Sequence, residues 1–177
     1  YGYLIDETGE VRQFDNQEMG YAYRDSALKR GQPLQAAFKP VVLSANFRLV
    51  EADGAEAVAA LKARADQFLH HRRQTQPNAP SLGSTFVNPP GHFAGRLIEE
   101  AGLKGAREGA IEVSTLHANF FINTAPAGSS AGSASDVLAL MRRVQSRVAD
   151  ATGIQLVPEV QFAGEWGDLL NGMETVS

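Results

Sequence analysis

The segment Pro80-Ser81-Leu82-Gly83-Ser84-Thr85-Phe86-Val87-Asn88-Pro89-Pro90-Gly91 separates a long helical pattern from a shorter one. Its glycines and prolines predict a loop, because both residue types interrupt helices and strands. The segment nevertheless carries several hydroxyl and amide side chains, and Gly83 would let a ligand approach the hydroxyl of Ser84. A connecting loop has no need for Phe86 and Val87 between polar groups. This composition favours a binding loop over a plain connection.

Strand and helix patterns alternate on both sides of this loop. Short apolar or alternating runs predict strands at 1–5, 11–14, 41–50, 110–113, 118–124 and 154–162. Apolar residues at helical spacing predict a long amphipathic helix at 55–73 and further helices at 93–101 and 136–151. This order predicts an α+β fold, in which helices pack on a mixed sheet that contains a βαβ unit.

The composition limits the classes of function. A length of 177 residues fits one domain, or one domain with part of another. The net charge of −4, from 16 basic and 20 acidic residues, argues against a nucleic-acid or membrane-surface partner. The absence of cysteine excludes thiolate nucleophiles, cysteine-ligated zinc and iron–sulfur clusters. No apolar run approaches the roughly 20 residues of a membrane span. We predict no metal site and no membrane partner.

Three residues are candidates for chemistry. Ser84 can act as a nucleophile, a proton donor or a turn cap, and its spacing favours the cap because the Gly-x-Ser-x-Gly pattern is not met. The guanidinium of Arg24 matches a carboxylate or phosphate, but taken alone it is better explained by a surface ion pair with Asp25 or Glu18. Glu159 reads as an exposed edge-strand residue unless another group partners its charge.

Other polar residues leave alternatives open. His117 and Asn119 fall on one strand face with Phe121, which indicates either a half-wet site or an exposed polar face. The run His70–Arg73 ends the long helix, where cations are favoured and a phosphate contact is also possible. Neither a Gly-x-Gly-x-x-Gly nor a P-loop motif is present, so the chain lacks a complete nucleotide-binding fingerprint.

Taken together, these motifs carry a resemblance to a known family. The matching motifs are Tyr21-x-Tyr23-Arg24-x-Ser26, Leu43-Ser44-Ala45-x-Phe47, Gln76-Pro77, Pro80–Phe86 with Asn88-Pro89, Ala94-Gly95-x-Leu97-Ile98-Glu99-x-Ala101-Gly102-Leu103-Lys104-Gly105, Ser114-x-x-His117-Ala118-Asn119-Phe120 and Pro158-Glu159-Val160. In order and spacing they resemble the C-terminal part of UDP-N-acetylenolpyruvoylglucosamine reductase. The shorter form of the family, without an extra loop in the substrate domain, is the better match.

The resemblance implies a flavoenzyme of peptidoglycan synthesis, and with it a role in cell wall biogenesis, cell shape and cell division. NADPH would reduce FAD. The reduced flavin would convert UDP-N-acetylglucosamine enolpyruvate into UDP-N-acetylmuramate in the bacterial cytoplasm.

The resemblance also implies roles for particular residues. Ser84 would supply the proton, and Arg24 and Glu159 would polarise the substrate carboxylate, which makes these three the catalytic residues. The substrate-binding residues would be Tyr23, Arg73, Asn88 and His117. The cofactor-binding residues would be Tyr21 and Arg24.

Domain boundaries follow from the same resemblance. Residues 1–30 would end a FAD-binding domain, 31–165 would form the substrate-binding domain and 166–177 a tail. FAD would be bound mainly by the preceding N-terminal domain, and Tyr1 already lies within a strand pattern. We therefore expect a fragment that is inactive alone. A redox-inactive UDP-sugar binding module and a purely structural domain are the alternatives.

Overall fold

A computed structural model describes residues 1–5, 8–22, 25–30 and 41–170. The chain divides into two compact units, with the boundary between Val58 and Ala59. The domain boundaries predicted near residues 30 and 165 stay a prediction.

The first unit contains an antiparallel sheet of three strands. These are β1 (Gly2–Ile5), β2 (Val11–Phe14) and β3 (Val41–Ala45), in the order β2-β1-β3. The predicted hairpin of β1 and β2 is confirmed, with Gly2 opposite Phe14. Leu4 and Phe14 are buried beside Met19 and form a small core. β3 ends earlier than the predicted strand at 41–50.

The helix α1 (Gly54–Thr75) crosses the boundary between the units and confirms the predicted long helix. None of its residues is buried among the residues described. Its apolar side chains Val58, Leu61, Phe68 and Leu69 are all exposed. The amphipathic pattern therefore predicted the helix but not a contact that covers its apolar face.

The second unit has a four-stranded sheet and two further helices. In chain order its elements are β4 (Ser81–Ser84), α2 (Ala94–Glu100), β5 (Arg107–Glu108), β6 (Ile111–Val113), β7 (Phe120–Asn123), α3 (Ala134–Thr152) and a short 3-10 helix (Gly167–Leu170). The strands lie in the order β4-β7-β6-β5. The predicted combination of helices and sheet is confirmed, and β4 lies within the segment predicted to be a loop.

The expected mixed sheet with a βαβ unit is wrong for the described residues. All pairs in the second sheet are antiparallel. The predicted strand at 154–162 is replaced by an isolated antiparallel bridge between Phe86 and Pro158. Pro158 has no backbone N–H to contribute to a ladder, which limits this segment to the bridge.

The helix α3 builds the core of the second unit. Ser133 and Asp136 form a capping box at its start, and Gly153 ends it in the left-handed conformation at φ 71°. Its apolar stripe is buried at Leu140, Met141, Val144 and Val148. The stripe packs with Val113 and Phe121 of the sheet and Ile98 of α2. None of the helices described is long and apolar enough to cross a membrane.

Candidate active site

A β-bulge places Ser84 at the end of β4. Ser81 lies opposite Ile122 and Ser84 opposite Phe120, so β4 has one residue more than β7 over this interval. Gly83 has φ 78°, which an L side chain adopts only with strain. No described atom lies within 4 Å of the place of a Cβ at Gly83. Glycine is therefore required here for its backbone angle, and the close approach of a ligand to the Ser84 hydroxyl stays a prediction.

Asn119 holds the residues that follow Ser84. Its Oδ1 accepts a hydrogen bond from the backbone N of Phe86 at 2.9 Å, and its Nδ2 donates to the carbonyl oxygen of Phe86 at 2.8 Å. The backbone N of Thr85 donates to the carbonyl oxygen of Asn119 at 2.8 Å. Asn119 is 4% exposed, so the expected wet or solvent-facing position for this residue is wrong.

The other side of the same segment pairs with the residues around Glu159. The backbone N of Val87 donates to the carbonyl oxygen of Val157 at 2.9 Å. The backbone N of Glu159 donates to the carbonyl oxygen of Thr85 at 2.8 Å. Glu159 is thus bonded to the residue directly after Ser84. The fold brings together two of the residues that the resemblance assigns to catalysis.

The side chains of these two residues have different surroundings. Ser84 is half-buried and Glu159 is exposed. Among the described residues, Ser84 does not form the turn-cap hydrogen bond that its spacing favoured. It is instead a strand residue, and its hydroxyl is available to a ligand.

Asn88 and His117 both meet the first turn of α2. Oδ1 of Asn88 accepts a hydrogen bond from the backbone N of Ala94 at 2.9 Å. Nδ1 of His117 accepts one from the backbone N of Asn119 at 3.2 Å, which leaves Nε2 as the nitrogen for a ligand. A Cβ at Gly95 would lie 3.1 Å from Cε1 of His117. Both side chains thus have structural contacts in addition to any ligand.

A basic cavity of about 450 Å³ lies at the end of α1. It is lined by Arg72, Arg73, Gln76 and Ser81, the first residue of β4. Nε of Arg72 donates to Oε1 of Gln76 at 3.2 Å. The two guanidinium groups make the cavity suited to an anion such as a phosphate.

The remaining predicted site residues belong to the first thirty residues of the sequence. Tyr23 and Arg24 fall outside the described residues. Tyr21 belongs to the first unit and is 62% exposed, so its ring is accessible to a planar ligand.

Sequence reasoning missed Gln145. It is 7% exposed on α3, and its Nε2 donates to the carbonyl oxygen of Leu156 at 2.7 Å. The bond fixes the segment that leads to Glu159. The sequence signal that could have identified Gln145 is its position directly after Val144, beside the apolar stripe of the predicted helix.

The second unit is therefore an α+β domain in which a serine and a carboxylate lie on two hydrogen-bonded segments near a basic cavity. The model of the family described as UDP-N-acetylenolpyruvoylglucosamine reductase, C-terminal domain, matches residues 76–163. Through this domain the chain belongs to the UDP-N-acetylenolpyruvoylglucosamine reductase family.

Similar proteins carry the same name. UDP-N-acetylenolpyruvoylglucosamine reductase of Rubrobacter xylanophilus is 44% identical over 157 residues, which cover 89% of this chain and 48% of the relative. The protein of that name from a Synechococcus species is 47% identical, with 91% and 50% covered. The crystal structure of UDP-N-acetylenolpyruvylglucosamine reductase (MurB) from Thermus caldophilus matches with a TM-score of 0.66 and 32% identity, covering 90% of this chain and 51% of that one. The chain spans about half the length of these relatives.

Proposed function

We propose that this chain supplies the substrate domain of an NADPH-dependent flavoenzyme that reduces UDP-N-acetylglucosamine enolpyruvate to UDP-N-acetylmuramate. The proposal draws on the names of the relatives and on one structural observation. That observation is the pair of backbone hydrogen bonds between Thr85 and Glu159 and between Val87 and Val157. They hold Ser84 and Glu159 on neighbouring segments. The activity belongs to peptidoglycan synthesis in the bacterial cytoplasm, and through it to cell shape and division.

The cofactors supply the reducing equivalent. When bound, FAD and NADPH would supply the hydride for the terminal carbon of the enolpyruvyl double bond. We propose that residues 1–30 end the FAD-binding domain, where Tyr21 and Arg24 contact the cofactor. The exposed ring of Tyr21 supports this role. Most of the FAD contacts belong to protein outside this chain.

Ser84 then completes the reduction. After hydride addition, the carbon next to the substrate carboxylate carries the electron pair of the former double bond. The hydroxyl of Ser84 gives its proton to that carbon, and solvent returns a proton to Ser84. One hydride and one proton are thus added across one double bond. A serine is a weak acid in water, so the transfer requires close and fixed placement.

Arg24 and Glu159 act on the substrate carboxylate. Hydride addition spreads negative charge into this group, and a guanidinium binds it in two places. The interaction strengthens as charge develops and therefore lowers the barrier. The resemblance assigns Glu159 to the polarisation of the same carboxylate.

The nucleotide part of the substrate has its own candidate contacts. Arg72 and Arg73 both line the cavity at the end of α1, and their guanidinium groups are suited to the diphosphate. Nε2 of His117 and the amide nitrogen of Asn88 are hydrogen-bond donors on the side of α2. Together with Tyr23, these residues form the substrate-binding set.

The test uses the full-length protein that contains this chain, loaded with FAD. Ser84→Ala is expected to keep flavin reduction by NADPH and to slow flavin reoxidation by the enolpyruvyl substrate by roughly 10²–10⁴-fold, the usual contribution of a positioned acid. The matched control is Ser146→Ala, an exposed serine on α3 that is expected to change neither half-reaction.

The outcomes separate the functions. A redox-inactive UDP-sugar binding module would bind the substrate without oxidising NADPH. If wild-type protein turns over the substrate and Ser84→Ala does so at the same rate, Ser84 is not the proton donor. Product formed in D₂O should carry deuterium at the carbon next to the carboxylate.

A further inference from the structure

The carboxamide of Asn119 occupies an unusual place in the second sheet. Its Oδ1 and Nδ2 bond to the N and O of one residue, Phe86, which lies 33 positions away in the chain. A side-chain amide has the same donor and acceptor as a peptide unit. Asn119 therefore pairs with Phe86 as a strand residue would.

This pairing begins where the regular ladder ends. Ser84 opposite Phe120 is the last registered pair between β4 and β7. Before Phe120 the chain turns, because the backbone N of Phe120 donates to the carbonyl oxygen of His117 at 3.0 Å. Beyond the pair of Ser84 and Phe120 the backbone contributes one more bond, from the N of Thr85 to the carbonyl oxygen of Asn119, before the chain turns away. The side chain of Asn119 continues the ladder from there, on the C-terminal side of Ser84.

Ser84 is consequently fixed from both directions. The bulge at Gly83 precedes it, and the pairing of Phe86 with Asn119 follows it. Without the amide, one edge of the segment keeps the bond between Thr85 and the carbonyl oxygen of Asn119, and the other keeps the bridge to 157–159. Phe86 itself loses both of its partners on the β7 side.

We propose that Asn119 is a positioning residue for the proton transfer by Ser84. This inference rests on the function proposed above. Asn119 does not touch the substrate; it acts by holding the backbone of Phe86 so that the Ser84 hydroxyl points at the carbon it protonates. Because a misplacement of about 1 Å costs roughly 10²-fold in rate, the proton-dependent step is sensitive to this pairing.

The alternative is that Asn119 only stabilises the fold. Buried amides do so when both polar atoms are bonded, as they are here. The two explanations differ in which reaction step suffers. A loss of folded protein lowers both half-reactions equally, whereas displacement of Ser84 lowers only the step that uses its proton.

Asn119→Asp is the most informative variant. It keeps the shape and the acceptor for the backbone N of Phe86, but its carboxylate faces the carbonyl oxygen of Phe86 without a donor. The matched control is Asn123→Asp at the C-terminal end of β7, since Oδ1 of Asn123 accepts from the backbone N of Ala125, away from Ser84. Val148→Ala in the buried stripe of α3 is the control for lost stability.

The experiment uses the full-length FAD holoenzyme in rapid-mixing half-reactions, with rates expressed per total protein. Asn119→Asp is expected to slow reoxidation by the enolpyruvyl substrate by roughly 10- to 100-fold. Reduction by NADPH should stay within about twofold. Asn123→Asp should keep both rates, and any loss in Val148→Ala should lower both rates by the same factor. The defect should lessen as pH falls, because the protonated carboxyl again offers one donor and one acceptor.

Two results would overturn the positioning role. The first is wild-type reoxidation in Asn119→Asp. The second is an equal loss in both half-reactions, as expected of a folding defect. If the wild-type holoenzyme does not reduce the substrate at all while Asn119→Asp matches it in every assay, the proposed function has failed, and the positioning role fails with it.

Discussion

Replacing Thr85 with valine is expected to stabilise the second unit by about 1–2 kcal/mol. Thr85 is 0% exposed, and its Oγ1 is buried without a hydrogen-bond partner among the described residues. A buried hydroxyl without a partner costs about 1–3 kcal/mol. Valine has nearly the same branched shape and volume, so the change removes the polar atom without opening a cavity. We expect the lower part of this range of costs, because the groups around Thr85 are already packed to accommodate its hydroxyl.

Urea unfolding with linear extrapolation measures this difference. A gain of this size corresponds to a rise in Tm of about 2–8 °C for a chain of this length. The matched control is Thr152→Val. Its Oγ1 donates to the carbonyl oxygen of Val148 at 2.7 Å and accepts from the backbone N of Ile154 at 3.2 Å. The control should therefore lose about 1 kcal/mol.

The reasoning about Thr85 is refuted if Thr85→Val loses as much stability as the control. Such a loss would mean that the hydroxyl has a partner, for instance a buried water. The backbone bonds from Thr85 to Asn119 and Glu159 do not involve the side chain. Turnover by the full-length enzyme is therefore expected to be unchanged in Thr85→Val, whatever the effect on stability.

Two further predictions concern single contacts. Gly95→Ala should favour α2 by about 1 kcal/mol in helix propensity. Its Cβ should also press on the ring of His117, so the free energy of unfolding should change little and the His117 Hε1 NMR resonance should move. An unmoved resonance would contradict the contact. The hydrogen bond from Arg30 holds the pKa of Asp25 below its usual range, and Arg30→Ala should raise it in a carboxyl NMR titration. Because the pKa of Asp25 is lowered in the folded state, any stability from this pair is present at neutral pH and is lost as pH falls through that pKa. An unchanged titration of Asp25 in the variant would show that Arg30 is not the cause of the lowered pKa.

Local signals in the sequence predicted much of the fold. In α3, the stripe of Val144 and Val148 predicted a helix at 136–151, and the observed helix is Ala134–Thr152. This stripe is recognisable from neighbouring residues alone, whereas the cap at Ser133 was not predicted. The helix therefore appears where the pattern placed it, and the same holds for the hairpin of β1 and β2.

The site depends on contacts that no local pattern contains. The bulge at Gly83 exists because β4 has one residue more than its partner strand, which requires knowing the partner. The role of Asn119 depends on Phe86, far away in the chain. Spacing alone therefore favoured a turn cap for Ser84, and only the resemblance to a family pointed to catalysis.

The segment around Glu159 shows why the polar core residues matter. Its apolar alternation predicted a strand, but Pro158 limits it to one bridge, and Gln145 takes the carbonyl oxygen of Leu156. Each such hydrogen bond contributes about 0.5–1.5 kcal/mol, a small part of the stability of a folded domain. Loss of either Asn119 or Gln145 should therefore loosen the segments around Ser84 and Glu159 at a lower cost than global unfolding. The two buried amides thus hold the site more than they hold the fold.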